Sequence, residues 1–245
     1  MTVFKNDWME TRSLPFSARF KKYPFRTLVT GVAEHIIRGT FRRKTFFGEY
    51  LYIPYPEYRS ILYHGMIDGG EIAITEHFWN TLKKDDIFFD VGTNIGFYSL
   101  LASTRVKEVH SFEPFPSTYK AFLRNLRPNI VPNNIALLDK KGVSYMKESL
   151  RPGLNRVAED GDTRVEATTL DEYCESTGVW PTVMKIDIEG SELNMLRGAT
   201  KVLQKGPSIV IELVENEKEI TQLLGQYGYK ERPFSPGSKN TLFVR

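Results

Sequence analysis

The chain has very little cysteine and no long apolar segment. Cys174 is the only cysteine among 245 residues, which excludes an internal disulfide and a metal site made of several cysteines, and we expect a reducing, cytoplasmic environment. No apolar run approaches the roughly 20 residues of a membrane-spanning helix. The N-terminal sequence MTVFKNDWMETRS lacks the apolar core of a signal peptide. The sequence therefore predicts neither export nor a membrane span.

The net charge is small, but it is unevenly distributed. The whole chain carries +3, whereas residues 1–50 contain ten basic and four acidic residues, a net charge of +6. Within this segment, FRTLVTGVAEHIIR, residues 25–38, places apolar side chains on one helical stripe with basic groups near its ends. Two interpretations stay open. The helix either packs on a folded domain with a solvated basic edge, or contacts an anionic membrane surface or a lipid-linked glycan, which would make the protein peripheral at the membrane.

The stretch FFDVGTNIGFYSL, residues 88–100, lacks the features of phosphate-binding turns. It reads as a buried strand, a turn and a helix. A dinucleotide fingerprint needs a glycine where this chain has Asn94, and a phosphate loop needs Lys and Ser or Thr where it has Phe97 and Tyr98. The carboxylate of Asp90 at the strand end suits a cationic nucleoside such as S-adenosylmethionine better than an anionic one. An α/β turn without a ligand is the alternative.

A second carboxylate, Glu113, ends the next predicted strand in HSFEP. A carboxylate at this place can accept hydrogen bonds from both ribose hydroxyls of a nucleoside that lies across the strand ends. NAD shares this chemistry, but the missing pyrophosphate turn favours S-adenosylmethionine; a surface acid beside a proline turn is the alternative. Asn134 and Ala136, at the end of the third predicted strand, should lie near the adenine by the same topology.

From residue 70 onward, predicted helices and strands alternate, which is typical of an α/β fold with a parallel sheet covered by helices on both faces. Thr169 and Glu172 form a capping box that opens the helix DEYCEST, which Gly178 can close. The predicted helices are ITEHFWNTL, FYSLLAST, STYKAFLRNL, DEYCEST, SELNMLRGATKVLQ and EKEITQLLGQYG. The predicted strands are IFFDVG, KEVHSFEP, NIVPNNIALLD, GVSYMKE, RVEATTL, TVMKIDIEG and SIVIELV, followed by a hairpin of YKERPF and NTLFVR.

The predicted strand TVMKIDIEG carries charges where a strand buried on both faces should have none. Lys185, Asp187 and Glu189 alternate along it, so that the period of two places them on one side. Such charges mark a partnered site at a strand end, since unpaired burial costs several kcal/mol. A local ion pair that only anchors the turn is the alternative. No His, Asp and Glu cluster has metal-ligand spacing, so no metal site is predicted, although a divalent ion held through Asp187 and distant carboxylates stays open.

The segments DVGTNIGFYS, SFEP, NNIALLDKKG, TTLDEY, MKIDIEGSELNMLRGA and IVIEL, in this order, resemble the FkbM family of S-adenosylmethionine-dependent methyltransferases. The resemblance covers residues 70–245 and implies the class I methyltransferase fold, with seven strands of which the last is antiparallel. Residues 1–69 match no pattern of the family and form a basic helical extension in this prediction. One departure is Thr93, where the family more often has alanine.

The resemblance also implies the residues of the cofactor site. By it, Asp90, Gly92, Asn94, Gly96 and Glu113 bind S-adenosylmethionine. The complete set that we expect to bind the cofactor is Asp90, Gly92, Thr93, Asn94, Gly96, Phe97, Glu113, Pro114, Asn134, Ala136 and Asp187. The implied acceptor is a hydroxyl, commonly on a sugar or a natural product.

Methyl transfer to a hydroxyl needs positioning and a group that removes the proton. Asp187 is the first choice for this base, and Glu189 is the alternative. Lys185 is expected to keep both carboxylates ionised, and His77 is expected on a helix surface. Enzymes that methylate exocyclic amines tend to have an (Asp/Asn)-Pro-Pro-(Tyr/Phe) turn where this chain has Asp-Ile-Glu-Gly, so oxygen is the expected target. Two alternatives stay open: an RNA methyltransferase that uses the basic N-terminal segment, although nucleic acid is not the expected partner, and a cofactor-binding protein without catalysis.

Overall fold

The structure is a computed structural model that describes residues 40–54, 71–147, 156–157, 161–234 and 238–245. The predicted amphipathic helix over residues 25–38 lies outside these ranges, as do His35 and His64. Among the described residues, no helix is long and apolar enough to cross a bilayer.

The secondary-structure elements follow the predicted alternation of strands and helices. The strands are β1 (Phe41–Lys44), β2 (Tyr50–Ile53), β3 (Ile87–Val91), β4 (Glu108–Phe112), β5 (Ile130–Asn133), β6 (Ala136–Leu137), β7 (Gly142–Lys147), β8 (Arg156–Val157), β9 (Thr163–Thr168), β10 (Val183–Ile186), β11 (Ser208–Glu212), β12 (Lys230–Pro233) and β13 (Asn240–Val244). The helices are α1 (Ile72–Thr81), α2 (Phe97–Ser103), α3 (Pro116–Phe122), α4 (Leu170–Thr177), α5 (Glu192–Arg197), α6 (Thr200–Lys205) and α7 (Glu217–Gln226).

A seven-stranded sheet forms the centre of the molecule, in the order β12-β13-β11-β10-β3-β4-β5. Neighbouring strands from β11 to β5 run parallel, whereas β13 is antiparallel to both β11 and β12. This is the predicted mostly parallel sheet with an antiparallel last strand, and the predicted C-terminal hairpin is present. Because β3 lies beside β10 and β4, the polar residues that follow these three strands meet at one edge of the sheet.

Helices cover both faces of the sheet, as the alternation predicts. On one face, α4, α5, α6 and α7 bury side chains such as Tyr173, Leu196 and Leu224 against Phe89 and Ile186. On the other face, side chains of α1, α2 and α3 pack against β3 and β4, namely Ile74, Phe78, Tyr98, Leu101 and Phe122 against Phe88 and Val109. The central strands are therefore buried on both faces, in agreement with their nearly continuous apolar sequences.

A second, four-stranded sheet has the order β6-β9-β7-β8, and its strand β6 follows β5 closely in the chain. Its inward side chains Met146, Val165 and Ala167 form a small core with Phe115 and Leu138. The predicted strands GVSYMKE and RVEATTL are thus present as β7 and β9, and they pair antiparallel.

Two predicted elements differ from the structure in their extent. The strand TVMKIDIEG ends at Ile186, so Asp187 and Glu189 lie in the turn after β10 and not in the strand. The single predicted helix SELNMLRGATKVLQ is two helices, α5 and α6, separated at Gly198 and Ala199. A Cβ on Gly198 would lie 2.2 Å from the carbonyl oxygen of Leu138, so the chain passes too close to its neighbour for a larger residue. The predicted cap of α4 is confirmed, because Thr169 Oγ1 accepts the N–H of Glu172 at 3.0 Å.

A hairpin of β1 and β2 precedes the main domain and was not predicted. Leu51 and Ile53 are buried against Ile95 and Leu100. The side chain of Asn125 accepts the N–H of Tyr52 at 2.7 Å and donates to its carbonyl oxygen at 2.9 Å. Part of the basic N-terminal segment therefore packs on the domain as a strand pair, while the division at residue 70 stays a prediction.

Candidate active site

A cleft opens at the carboxyl ends of β3, β4 and β10, where the topology predicts a ligand. Its empty volume, including the part open to solvent, is about 710 Å³. The predicted site residues that line it are Gly92, Asn94, Glu113, Pro114, Ala136, Asp187 and Glu189. The structure thus brings together residues from three strand ends that are up to 97 positions apart in the sequence. Asp90, Thr93, Gly96, Phe97, Asn134 and Lys185 lie outside the lining.

The two glycines of the turn after β3 are required by the fold itself. Gly92 and Gly96 have φ values of +83° and +91°. A Cβ at Gly92 would lie 1.8 Å from the carbonyl oxygen of Asp187, and one at Gly96 would lie 2.5 Å from the ring of Phe122. The family resemblance implied that these glycines bind the cofactor. In the structure they let the turn approach the end of β10 and let α2 approach Phe122.

Asp90 holds this turn from beneath. Its side chain is almost fully buried, and its Oδ2 accepts hydrogen bonds from Thr93 Oγ1 at 2.7 Å and from Ser99 Oγ at 2.5 Å. Its Oδ1 is buried and has no hydrogen-bond partner in the described part of the chain. Because Asp90 lies outside the cleft lining, its place in the structure is that of a support for the turn that lines the cleft.

Glu113 closes the turn from the side of β4. Its Oε2 accepts the N–H of Asn94 and its Oε1 accepts the N–H of Phe115, each at 3.0 Å. The residue is only 8% exposed, and burial raises the pKa of its carboxyl to about 7. Each carboxylate oxygen has a second lone pair, so Glu113 can still accept hydrogen bonds from a diol in the cleft.

One end of the cleft is apolar. Ile135, Leu138 and Met146 line it together with the predicted Ala136. Asn134 does not point into this end as predicted, since its Nδ2 donates to the carbonyl oxygens of Glu113 and Pro114 at 2.8 and 3.0 Å. Sequence reasoning missed Met146, because its strand belongs to the separate small sheet and only the fold brings it here.

Lys185 and Asp187 form an ion pair at the end of β10. Lys185 Nζ lies 2.8 Å from Asp187 Oδ2 and 4.9 Å from the centre of the Tyr98 ring. Burial opposes the charge on both residues, but the Lys185 ammonium holds the pKa of Asp187 below its usual range, while Asp187 and Asp90 raise the pKa of Lys185. The ion pair that the sequence left open is therefore present, and Asp187 also lines the cleft.

Glu189 follows in the turn and has a different environment. Its φ of +52° is rare for a residue other than glycine. The turn is fixed by Glu192, whose Oε1 accepts the N–H groups of Ile188 and Gly190 at 3.1 Å each. Burial, together with the charges of Asp187 and Glu192, raises the pKa of Glu189 to about 7. Glu189 is therefore a carboxylate in the cleft that can exchange a proton near neutral pH.

A third carboxylate, Glu212, reaches the same place from β11. Ile186 and Ile211 are paired in the sheet, so the residues after them, Asp187 and Glu212, lie side by side. Oxygen atoms of Asp187, Glu189 and Glu212 all lie within 4.8 Å of one another. This spacing would allow a shared cation, although exposed acidic groups are common without one. In the sequence, Glu212 is only part of the segment IVIEL that contributes to the family resemblance, and the strand pairing is what places it beside Asp187.

The histidines in the described residues lie outside the cleft lining. His77 is half-buried on α1, with its ring 5.4 Å from that of Phe234. His110 is buried and hydrogen-bonds with Tyr173 Oη at 2.6 Å and with Glu108 at 3.0 Å. His110 is therefore a structural imidazole with both ring nitrogens hydrogen-bonded.

Comparisons with known proteins agree with this geometry. The model of the methyltransferase FkbM domain matches residues 90–231. The hexuronic acid methyltransferase AglP of Haloferax volcanii is 30% identical over 165 residues, which are 64% of this chain and 69% of that protein. A tRNA (guanine(37)-N(1))-methyltransferase of Aedes aegypti is 31% identical over 70 residues, 29% of this chain and 12% of that protein.

Among solved structures, the crystal structure of methyltransferase FkbM from Methylobacillus flagellatus has the same fold. It superimposes with a TM-score of 0.51 at 15% sequence identity, over 94% of this chain and 60% of that one. This chain therefore spans less than two thirds of the length of that solved protein. The family match, the relative and the fold lead to one assignment. The chain belongs to the FkbM family of methyltransferases, and its methyl donor is S-adenosylmethionine.

Proposed function

We propose that this protein transfers a methyl group from S-adenosylmethionine to a hydroxyl of a sugar, glycan or related natural product, with acidic sugars as the first candidates. The observation that supports it most is Glu189, a carboxylate with a pKa raised to about 7 by burial, in the same cleft as Glu113. The relative that methylates hexuronic acid favours an acidic sugar. Lys239, whose charge acts on Glu189, could pair with the carboxylate of such an acceptor.

In this proposal the cofactor lies across the three strand ends. Glu113 accepts hydrogen bonds from the ribose hydroxyls, and the apolar end at Ala136 and Met146 holds the adenine. The carboxylate of Asp187 is the acceptor for the cationic methionine part, and Asp90 supports the turn from beneath. Thr93, Gly96, Phe97, Pro114 and Asn134 support the turns that carry these groups.

The reaction is an in-line displacement. Glu189 takes the proton of the acceptor hydroxyl, the oxygen attacks the methyl carbon, and the electrons of the carbon–sulfur bond go to sulfur, which leaves neutral S-adenosylhomocysteine. Glu189 suits this role better than Asp187, the base that the sequence favoured. Asp187 is held ionised by Lys185 at 2.8 Å and is therefore a weaker base.

Incubation with methyl-labelled S-adenosylmethionine tests the proposal. The acceptors are glycans that contain hexuronic acid, matched neutral glycans, lipid-linked glycans and total RNA, and mass spectrometry locates the label. We expect a methyl ether on a sugar, with acidic glycans preferred. Label on RNA bases would instead establish an RNA methyltransferase. Binding of the cofactor without transfer to any acceptor class would favour the role without catalysis.

The basic N-terminal segment is the proposed contact with an anionic surface, such as a membrane that carries a lipid-linked glycan. Among its described residues, Arg42, Arg43 and Lys44 are exposed on β1. Replacement of these three residues by Gln should reduce co-sedimentation of the protein with anionic vesicles at low salt. Co-sedimentation with neutral vesicles should not change. Equal co-sedimentation of the wild type and the variant with anionic vesicles would contradict this contact. The cytoplasmic location stays a prediction.

A further inference from the structure

Asp187 lies between a basic and an acidic side chain at the end of the central strands. On one side is the ammonium of Lys185, at 2.8 Å. On the other side is Glu212, which the pairing of Ile186 with Ile211 places beside Asp187, with oxygens of the two carboxylates within 4.8 Å of each other. Two ionised carboxylates this close repel each other, which favours a state with one proton on the pair. Lys185 stabilises the ionised form of Asp187, which leaves the proton on Glu212.

We propose that Glu212 is a positioning residue for the methyl-transfer site: its protonated carboxyl donates to Asp187 and, together with Lys185, fixes the Asp187 carboxylate in the cleft. Lys185 and Glu212 donate to the Asp187 carboxylate from opposite sides, and its remaining lone pairs then point towards the ligand. Glu189 belongs to the same cluster, since oxygens of all three carboxylates lie within 4.8 Å of one another. An ionised Glu212 would repel both Asp187 and Glu189.

The charged surroundings of Glu212 determine when it loses its proton. From β10 and its turn, it faces Lys185, Asp187 and Glu189. From β13, its partner in the sheet is the neutral Asn240. Burial and the charge of Asp187 raise the pKa of Glu212 to about 8. The hydrogen bond to Asp187 is therefore present at neutral pH and is lost as the pH rises through about 8.

A matched pair of variants tests the inference. Glu212→Gln keeps an N–H donor towards Asp187 but cannot ionise, whereas Glu212→Ala removes the donor. We expect wild-type methyl transfer at saturating cofactor to fall above pH 8, Glu212→Gln to keep its rate through pH 9, and Glu212→Ala to lose about tenfold or more at pH 7.5. Glu231→Gln, an exposed acid on β12, should retain the wild-type profile. Unfolding curves at each pH show that the variants are folded.

The inference rests on the proposed function, so its test includes a measurement that needs no acceptor. Binding of S-adenosylhomocysteine by calorimetry between pH 7.5 and 9 should weaken in the wild type and stay level in Glu212→Gln. If no acceptor is methylated but this binding difference is present, the proposed function fails and the role of Glu212 stands. A Glu212→Gln protein that loses activity or binding like Glu212→Ala would overturn the role. Loss of activity in EDTA with recovery in Mg²⁺ would also overturn it, because a cation bound by these carboxylates would take the place of the proton on Glu212.

Discussion

Glu113 and Glu189 are the same kind of residue with pKa values raised to about 7, but their partners give them different roles. Glu113 accepts two backbone N–H groups and is fixed in place. Glu189, by contrast, owes its raised pKa to burial and to the charges of the neighbouring acids Asp187 and Glu192. A fixed acceptor suits recognition of a bound diol, whereas an acid with exchangeable protonation suits proton transfer.

Replacement of Glu113 by Gln should weaken binding of S-adenosylhomocysteine by about tenfold or more at pH 8, because hydrogen bonds to a charged acceptor contribute roughly 1.5–3 kcal/mol. The ribose donates to the ionised form, and burial places the pKa at about 7 in the free protein. Wild-type affinity should therefore increase from pH 6 to pH 8 and then level off, apart from the effect of Glu212. Calorimetry at each pH measures this. An unchanged pH dependence in Glu113→Gln would show that another group causes it.

Replacement of Glu189 by Gln should lower single-turnover methyl transfer by roughly 10²-fold or more, the usual scale for loss of a general base, with little change in cofactor affinity. Because burial raises its pKa to about 7, the wild-type rate at saturating cofactor should rise with pH through 7. Glu189→Gln should lose that rise. Asp187→Asn should weaken cofactor binding and keep the rise. The reverse result for the two variants would return the base to Asp187.

At the scale of secondary-structure elements, the sequence predicted what depends on local pattern. The apolar strands β3, β4, β10 and β11 and the capped helix α4 follow from periodicity and a capping box. The hairpin of β1 and β2 was missed because FRRK reads as a basic run. The apolar residues of the partner strand, Leu51 and Ile53, can be recognised as core residues only from their packing against Ile95 and Leu100. Glu212 and Met146 were missed for the same reason, since strand pairing and a second sheet bring them to the cleft.

Replacement of Leu51 by Ala should destabilise the protein by about 2–5 kcal/mol, the usual cost of removing a buried leucine side chain. Leu51 is 1% exposed and packs with Ile95, next to the Asn94 that lines the cleft. The matched control is Tyr50→Ala, because Tyr50 is 45% exposed on the same strand and should change stability by much less. Urea unfolding measures both. Equal effects of the two substitutions would show that the hairpin does not pack as described.

At the scale of the whole molecule, the cleft is built from segments that are distant in the sequence and have no reason to assemble except through the sheet. The turn after β3 is fitted to Asp187, Glu113 ties that turn to β4, and Met146 arrives from the small sheet. A ligand that contacts all three regions binds only the folded state. Its binding free energy therefore adds to the stability of the entire domain.

S-adenosylhomocysteine should accordingly raise the unfolding temperature of the whole chain. At a free concentration of 100 times Kd, a ligand that binds only the native state stabilises it by about 2.7 kcal/mol. For a chain of 245 residues, each kcal/mol corresponds to roughly 2–4 °C, so a shift of about 5–10 °C is expected in a thermal-unfolding scan. NAD should give no shift, because Asn94 replaces the glycine that a pyrophosphate needs. Glu113→Gln should reduce the shift at the same ligand concentration. A shift produced by NAD and not by S-adenosylhomocysteine would contradict the placement of the cofactor across these strand ends.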